Sequence, residues 1–360
     1  KIRVPMNYCR FAIALLVFPW FGLGVGLCDD VPPHAVFVVG TPHYSPERSM
    51  PVLASHLQKL GFKTTILKCA GNPEKNSEGI QGLEALESAD VAIFFVRFLT
   101  LPDAQLQYID RYLNSGKPIV GFRTSSHAFA YPKGSKNFHW NDGFGLKALG
   151  VKYETHLTGK TTVSLNAAGA KHPALSGLNF KKPRVATGSL YLATPPPTAT
   201  VLLNGTGQSK KVGKVTNTFG THELTATMQE PVAWVFENEF GGKVFGTTLG
   251  HWETFNDARF VRLFVNAICW SAGMKIPLRD EFKVVGLASY EQELKKRRGA
   301  KNGRQQDAKN TATNDPVPVE DPDYKKYGIY ANTAPRAKTV SPSTTSLPIS
   351  IKPRSRIALV

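Results

Sequence analysis

The stretch DVAIFFVRFLTLPDAQLQYIDRYLNSGKPIVGF, residues 90–122, contains a strand, a helix and a second strand in close succession. Residues 90–98 form a nearly continuous apolar run, which is typical of a strand buried on both faces of a parallel sheet. Residues 101–117 predict a helix, because apolar side chains recur there at intervals of three and four and Gly116 lies near the end. A second apolar run follows at 119–122. This succession predicts a parallel βαβ unit.

The same alternation extends toward the N-terminus. The runs AVFVVG (35–40) and FKTTILKC (62–69) predict two more buried strands. The helix between them has a capping residue in Ser45 and a suitable first-turn residue in Pro46. A short helix around Leu83 then leads to the stretch quoted above.

Toward the C-terminus, PVAWVFE (231–237) and GKVFGTTLG (242–250) predict a pair of strands. The helix that follows has Asp257 at its start as a capping residue and an apolar face along its length. Strands that alternate with helices in this way predict an α/β fold: a doubly wound, mostly parallel sheet with helices on both faces.

The bulk composition bounds the size and the charge of the molecule. The 360 residues, 42% of them hydrophobic, are enough for one large domain with its own core. The formal net charge is +17, but many basic residues lie in the C-terminal part. A solvated basic tail explains this charge, so we expect at most weak association with an anionic envelope surface and no specific nucleic-acid partner.

The first residues have the layout of a secretory signal peptide. Lys1, Arg3 and Arg10 precede an apolar run from 11 to 27, and polar residues follow it. We therefore expect residues 1–28 to direct export to the periplasm or the medium. Lipid anchoring through Cys28 is the alternative, although the preceding leucine fits that processing poorly.

The chain after residue 276 loses the periodic apolar pattern. Pro, Ser, Thr, Asn and Lys dominate from residue 299 onward. This composition is typical of a disordered segment, because it offers too little apolar surface to bury. We expect an ordered domain over 34–276 and a mostly disordered basic tail over 277–360.

No cofactor motif is found in the sequence. A GxGxxG after the first strand, a GxxxxGK[ST] loop, HxH, HExxH and paired cysteines are all missing. We therefore predict no cofactor, and no metal ligand is assigned. The oligomeric state is left open.

Polar side chains gather where the predicted strands end, which is where ligands bind in open α/β sheets. We assign catalytic roles to His251, His127 and Glu253, with a histidine as general acid or base. The candidate substrate-binding residues are His43, Tyr44, Glu47, Arg97, Arg123, Thr124 and Ser125. Each also has a structural interpretation, such as a cap, a turn or an internal ion pair.

The segment PVAWVFENEFGGKVFGTTLGHWETFNDARFVRLFVNAICWSAGM, residues 231–274, resembles the end of a ThuA-like (trehalose utilisation) domain. The blocks TPHYSPE, RFLTLPDAQLQYIDRYLNSGKPIVGFRTSSHAF and KHPALSGL are similar to earlier parts of that family. The resemblance covers about residues 34–276. It implies the class I glutamine amidotransferase-like fold, a flavodoxin-like α/β architecture.

The resemblance does not extend to glutamine hydrolysis. The amidotransferases place a nucleophilic cysteine directly after a strand similar to KPIVGF, and this chain has Arg123 there. Their later histidine and carboxylate are similar in place to His251 and Glu253. Without a thiol at that turn, the chemistry lacks its nucleophile.

Two classes of function remain open. In the first, an exported enzyme acts on a carbohydrate or related polar metabolite, with the arginines holding anionic or carbonyl groups. In the second, the same residues form a non-catalytic module that binds sugars or cell-surface polymers, with aromatic rings as platforms. A small carbohydrate-like ligand is the expected partner in both.

Overall fold

Strands of three to eleven residues and amphipathic helices build one large mixed sheet with helices on both faces. The computed structural model describes residues 31–69 and 79–308, with only the backbone described over 299–308. The strands are β1 (His34–Gly40), β2 (Lys63–Lys68), β3 (Val91–Val96), β4 (Ile119–Phe122), β5 (Thr158–Leu165), β6 (Arg184–Ala186), β7 (Thr200–Gln208), β8 (Gly213–Asn217), β9 (Gly220–Leu224), β10 (Thr227–Glu237) and β11 (Lys243–Thr247). The helices are α1 (Pro46–Lys59), α2 (Asp103–Leu113), α3 (Trp140–Leu149), α4 (Ala258–Ser271) and α5 (Leu287–Ala308).

The large sheet has the strand order β2-β1-β3-β4-β11-β10-β7-β5-β6. The first five strands are parallel, and the pairs from β11 to β6 are antiparallel. β1, β3 and β4 are buried along their whole length, as the continuous apolar runs predict. Strands β8 and β9 form a separate hairpin. The predicted α/β class and parallel βαβ unit are confirmed.

Helices cover both faces of the sheet, as predicted. Apolar side chains of α1 and α4 share one cluster of buried residues, and those of α2 and α3 share the other. The α2 stripe is the predicted one, since Leu106, Ile109 and Leu113 are all buried. Trp234 on β10 belongs to the second cluster, and its indole N–H donates to the Leu149 carbonyl at 2.8 Å. Such layering leaves the ends of the strands as the place for a site.

Two local predictions change in detail. The segment Leu83–Ser88 is a short 3-10 helix. Ser45 precedes α1 in a left-handed conformation (φ 49°) and makes no side-chain capping bond, so the predicted cap is wrong. Asp257 does cap α4, because its carboxylate accepts a hydrogen bond from the Arg259 backbone N–H at 3.0 Å.

The predicted tail differs from the structure at its start. Helix α5 follows residue 286, and Leu287, Tyr290 and Leu294 are buried in the same cluster as α1 and α4. Their spacing of three and four puts them on one face of the helix. Glu291 on this helix also binds Arg48 of α1, with the Nε to carboxylate distance at 2.8 Å. The many surrounding charged residues hide this short apolar face in the sequence.

Two predictions concern segments outside the described residues. The proposed signal peptide over 1–28, with Cys28, and the tail beyond 308 both lie there. None of the helices within 31–69 and 79–308 combines the length and the apolar character that a bilayer crossing requires.

Candidate functional site

The turns that follow β1, β3, β4 and β11 come together at the carboxyl edge of the parallel strands. We call the surface they form the crevice. It is built by His43, Tyr44, Arg97, Phe98, Arg123, His127, Tyr153, Tyr191 and His251, which are linked by ring and guanidinium contacts. Most of the candidate residues therefore lie together at this edge, as predicted.

Backbone strain is concentrated at this edge. Four described non-glycine residues have a positive φ: Tyr44 (66°), Ser45 (49°), Phe98 (49°) and Arg123 (40°). All four lie on the turns after β1, β3 and β4. Such conformations are unfavourable for residues with a side chain and are retained where the surrounding structure enforces them, often at functional sites. The strain marks this edge as the candidate site.

Arg123 occupies the turn after β4 and is almost completely buried, with 2% of its surface exposed. Its guanidinium lies over the rings of Tyr44 and Tyr191, with Cζ 4.4 Å and 4.2 Å from their centroids. It donates hydrogen bonds to the carbonyls of Thr248 (2.7 Å) and Ser189 (3.1 Å). Among the described residues, carbonyls, hydroxyls and aromatic faces thus compensate this buried charge in place of a carboxylate.

Tyr44 and Tyr191 form a phenol pair beside this charge. Their hydroxyl oxygens are 3.5 Å apart, and Arg123 donates to the Tyr44 oxygen at 3.5 Å. Burial by itself would raise the pKa of Tyr44, but Arg123 and the hydrogen bond from Tyr191 outweigh it, so the pKa lies below its usual value. Burial raises the pKa of Tyr191 strongly. Tyr44 is therefore the phenol of the pair that ionises first.

His127 lies deeper in the crevice, against the rings of Phe98, Tyr153 and Tyr191. The Ser126 hydroxyl donates to the Arg123 carbonyl, so it accepts from His127 Nδ1 at 3.0 Å. This bond leaves Nε2 as an acceptor. Burial, followed by the charges of Arg97 and Arg123, holds the pKa of His127 well below its usual value. His127 is therefore neutral at neutral pH.

His251 has the opposite arrangement of ring nitrogens. Its Nδ1 accepts the backbone N–H of Glu253 at 3.3 Å, which puts the proton of the neutral ring on Nε2. Its ring packs against Tyr44, with 5.8 Å between the centroids, and stacks on Trp252. Burial lowers the pKa of His251, partly offset by the Glu253 carboxylate. His251 thus contributes a hydrogen-bond donor to the crevice.

His251 and Glu253, the two neighbouring catalytic candidates, lie close together but do not form a hydrogen-bonded pair. The carboxylate lies 3.9 Å from Nδ1 and is largely exposed. Since Nδ1 already accepts a backbone N–H, it has no proton to share with the carboxylate in the neutral ring. The two imidazoles of His127 and His251 also do not face each other directly, because they pack on either side of the phenol pair of Tyr44 and Tyr191.

Arg97 and His43 lie at the more open part of the crevice. Arg97 is half-buried, with Cζ 4.3 Å from the centroid of the Phe98 ring. Burial lowers its pKa, while the nearby phenols act in the opposite direction. His43 is exposed as a whole, but its ring is partly shielded from water, and this desolvation and the Arg97 charge lower its pKa. The guanidinium groups of Arg97 and Arg123 give this surface a positive character, since the lowered pKa values keep the three histidines neutral at neutral pH.

Two of the predicted ligand contacts, Ser125 and Glu47, have partners within the protein. Ser125 is fully buried and connects the turn after β4 to β3: its hydroxyl donates to the Phe94 carbonyl at 2.9 Å and accepts from the Val96 N–H at 3.2 Å. Thr124 is also fully buried. Both point into the fold because the turn after β4 is a tight 3-10 helix. Burial raises the pKa of Glu47, whose carboxylate bonds to Ser45 at the start of α1.

Several residues of the crevice were not predicted. Tyr153, His156, Ser189, Tyr191 and Phe219 come from loops and strands of the irregular middle third. The cluster YETH at 153–156 and the SLY triplet at 189–191 are the sequence signals that could have found them. Their place depends on the antiparallel half of the sheet, which brings these loops to the carboxyl edge.

The hairpin of β8 and β9 reaches the crevice through its turn. Phe219 at this turn packs edge-on against Tyr153, with 4.8 Å between the ring centroids. The Asn217 amide donates to the Glu154 carbonyl at 3.0 Å, and the His222 ring lies 3.6 Å from the Glu154 carboxylate. The hairpin therefore adds an aromatic wall to the His127 side of the crevice.

A sequence model of the family described as ThuA, trehalose utilisation, matches residues 35–271. The chain belongs to the ThuA family. The match spans both halves of the large sheet, and it confirms the resemblance to the ThuA family seen in the sequence. A search of the curated proteins finds no match.

Solved structures similar to this ThuA-family chain have low sequence identity. A ThuA-like protein from Parabacteroides merdae is 15% identical, with a TM-score of 0.46, covering 71% of this chain and 96% of that one. The glutaminase domain of Trypanosoma brucei CTPS with bound acivicin is 10% identical, with a TM-score of 0.34, over 70% of this chain and 98% of that one. An exo-β-1,4-mannosidase from an Opitutaceae bacterium is 10% identical, with a TM-score of 0.36, over 67% of this chain and 36% of that one.

The thiols of the described part of this ThuA-family chain do not replace an elbow nucleophile. Cys269 is buried in α4, and burial raises its pKa to about 12. Cys69 follows β2, at the edge of the sheet away from β4. Within residues 31–69 and 79–308, no group of three His, Cys, Asp or Glu side chains is placed to hold a metal ion.

Proposed function

We propose that this ThuA-family protein binds a carbohydrate-type metabolite that carries a carboxylate or another anionic or carbonyl group, and that the crevice is the binding site. One observation carries the proposal. The guanidinium of Arg123 is buried at the edge of the parallel strands and lies between two tyrosine rings, with only carbonyls and hydroxyls as its described hydrogen-bond partners. Its positive charge is therefore not cancelled by any described carboxylate bonded to it.

The charge of the crevice favours an anionic group on the ligand. Arg97 adds a second, half-buried guanidinium nearer to solvent. A charge in a partly dehydrated crevice acts more strongly on a ligand than the same charge on the surface, because water screens it less. We therefore expect Arg97 to contact the anionic group, while the charge of Arg123 attracts that group from deeper in the crevice.

The neutral groups of the crevice favour the hydroxyls and the apolar face of a sugar. His251 presents a donor at Nε2 and His127 an acceptor at Nε2, as their hydrogen bonds assign. A hydroxyl group can accept from the first and donate to the second. The rings of Tyr44, Trp252 and Phe219 offer flat apolar surfaces of the kind found in ligand pockets.

The test compares a sugar with the matching sugar acid. Binding of D-glucose and D-glucuronate to the full chain is measured by thermal shift and then by calorimetry, followed by a wider panel of sugars and sugar acids. We expect the acid to bind at least about tenfold more tightly, since a charge-assisted hydrogen bond contributes about 1.5–3 kcal/mol. Arg97→Gln should remove that preference.

A matched pair of histidine variants locates the site. His172 caps a short 3-10 helix as His251 does, because its Nδ1 accepts the Ala174 N–H at 3.2 Å, but it packs on Trp270 at α4, away from the crevice. His251→Ala should weaken sugar-acid binding, and His172→Ala should leave it unchanged. Equal losses in both variants, or no binding across the panel, would contradict the proposal.

Acid–base catalysis on the bound ligand is a second candidate function. The observation that favours it is the lowered pKa of Tyr44 beside Arg123 and Tyr191. A phenol that ionises more readily is a better proton-transfer group near neutral pH. The phenolate absorbance of the wild type should show one tyrosine titrating early, and Tyr44→Phe should remove it. If proton NMR of the sugar-acid panel shows turnover by wild type and none by Tyr44→Phe, catalysis is supported; unchanged spectra for all panel members contradict it.

Export of the protein is part of the same proposal and rests on the sequence of residues 1–28. Mass spectrometry of the full chain expressed in a secreting host should find a mature N-terminus between residues 24 and 30. An intact N-terminus in the cytosolic fraction would contradict export.

A further inference from the structure

We propose a second binding site, for a small soluble ligand that carries two or more phosphate groups, in a cavity beside the start of α4. The cavity has a volume of about 610 Å³. Three segments form it: the loop before β6, the first turns of α4, and residues 279–284 after that helix. None of its lining residues belongs to the crevice, so this inference is independent of the function proposed above.

All the ionisable side chains that line this α4 cavity are basic. There are seven: Lys181, Lys182, Arg184, Arg259, Arg262, Arg279 and Lys283. Asp257 lies next to the cavity, and its carboxylate is already bound by Arg259 at 2.6 Å. A second carboxylate, Asp280, acts on Arg262 electrostatically, so seven basic side chains face two nearby carboxylates and a positive excess remains.

Two of the arginines also have unused hydrogen-bonding capacity. Arg262 is 5% exposed and donates from its two terminal nitrogens to the carbonyls of Phe282 and Pro277, both at 2.7 Å. Its Nε, and the Nε of Arg184, are buried and have no hydrogen-bond partner in the described structure. A buried N–H without a partner is unfavourable, and an anionic oxygen supplied by a ligand would satisfy it.

A glycine leaves space beside the buried Arg262 guanidinium. Gly177 lines the cavity in a left-handed conformation (φ 69°), and a Cβ there would stand 3.4 Å from Arg262 Nε. The N-terminus of α4 begins at the same place, but the Asp257 carboxylate already caps it. The basic side chains therefore supply the attraction for an anion.

Phosphate is the ligand chemistry that fits this donor set. Guanidinium groups present paired N–H donors that match the oxygens of a phosphate, and lysines add point charges around it. A single phosphate engages about two or three such groups, so seven basic side chains suit a ligand with more than one. The cavity volume falls within the range of about 300–1,000 Å³ that small ligands occupy.

The experiment uses inorganic pyrophosphate as the probe, with monophosphate and citrate at matched ionic strength, on the full chain by isothermal titration calorimetry. We expect pyrophosphate to bind more tightly than either competitor. The double variant Lys181→Gln/Lys182→Gln should weaken pyrophosphate binding at least about tenfold. The control is Lys210→Gln/Lys211→Gln, an adjacent pair of equally exposed lysines between β7 and β8, which removes the same net charge.

A third variant tests the buried donors. Arg184→Gln should reduce pyrophosphate affinity further, with urea unfolding used to show that the variant is folded. Equal weakening by the two lysine pairs would mean that pyrophosphate responds to net charge alone and would overturn the site. Citrate binding as tightly as pyrophosphate would overturn the phosphate assignment, and no measurable pyrophosphate binding would overturn the proposal as a whole.

Discussion

Arg123 in the crevice and Arg262 in the α4 cavity are both buried cations, but their surroundings differ. Each is almost fully buried, donates to two backbone carbonyls from its terminal nitrogens, and leaves Nε without a partner among the described residues. Arg123 lies on a strained turn between two aromatic rings, whereas Arg262 lies on a regular helix. Backbone carbonyls thus stabilise the buried charge of both arginines, and aromatic ring faces add to this only at Arg123.

The largest effect is expected when each arginine is replaced by methionine, which keeps the length and removes the charge. Arg123→Met should lower the free energy of unfolding by about 4 kcal/mol and Arg262→Met by about 3 kcal/mol, because both lose two charge-assisted bonds to carbonyls and only Arg123 also loses hydroxyl and ring contacts. Urea denaturation measures both. A larger loss for Arg262→Met would reverse the comparison.

A second pair of changes tests the glycines that lie against these arginines. A Cβ at Gly188 would lie 3.2 Å from His251 Cβ at a φ of 105°, and one at Gly177 would lie 3.2 Å from Arg279 Cβ at a φ of 69°. Gly188→Ala should cost about 2 kcal/mol and Gly177→Ala about 1 kcal/mol, because only the second φ is close to the left-handed region open to alanine. Thermal unfolding measures both losses of stability. Equal losses in the two variants would show that the backbone φ angle does not decide the cost.

The third test is the pH dependence of stability. Burial lowers the pKa of His127 strongly and that of His172 less, from an ordinary value of 6.5. Below that pH the unfolded chain takes up a proton before the folded protein does, so stability falls as the pH falls, by at most about 1.4 kcal/mol per pH unit for each histidine. His127→Gln should flatten the curve below pH 6.5 more than His172→Gln. A steeper curve for His127→Gln would contradict the assignment of a neutral His127.

The smallest effect is expected for the two capping histidines. His251→Ala and His172→Ala each remove one N–H to imidazole bond, at 3.3 Å and 3.2 Å, and each should cost about 0.5–1 kcal/mol. Equal stability losses would sharpen the comparison, because any difference in ligand binding could then be attributed to the crevice. A loss of several kcal/mol in one variant only would show that its histidine does more than cap a turn.

The parallel half of the sheet could be predicted from local sequence patterns. Each of β1, β3 and β4 is a continuous apolar run, and burial on both faces requires such a run whatever its neighbours are. The spacing of Leu106, Ile109 and Leu113 likewise predicted α2. These features depend on residues that are close in sequence, so the sequence alone contains the information.

The C-terminal helix could not be predicted in the same way. Leu287, Tyr290 and Leu294 are separated by charged residues and follow a stretch without periodicity. Their burial depends on contacts that are distant in sequence, with α1 and with the 3-10 turn Trp252–Asn256. Local composition therefore favoured disorder, and tertiary packing decided otherwise for residues 287–294.

The sequence by itself determined that polar residues follow β1, β3, β4 and β11, and that an arginine follows the strand of KPIVGF. Only the tertiary structure decided which of those residues share a site. In the structure, Ser125 bonds to β3 inside the fold, and Tyr191 lies over Arg123. His127 and His251 pack on different members of the tyrosine pair. The reason is physical: strand ends converge because of the sheet, whereas side-chain direction depends on turns and loops held by contacts distant in sequence.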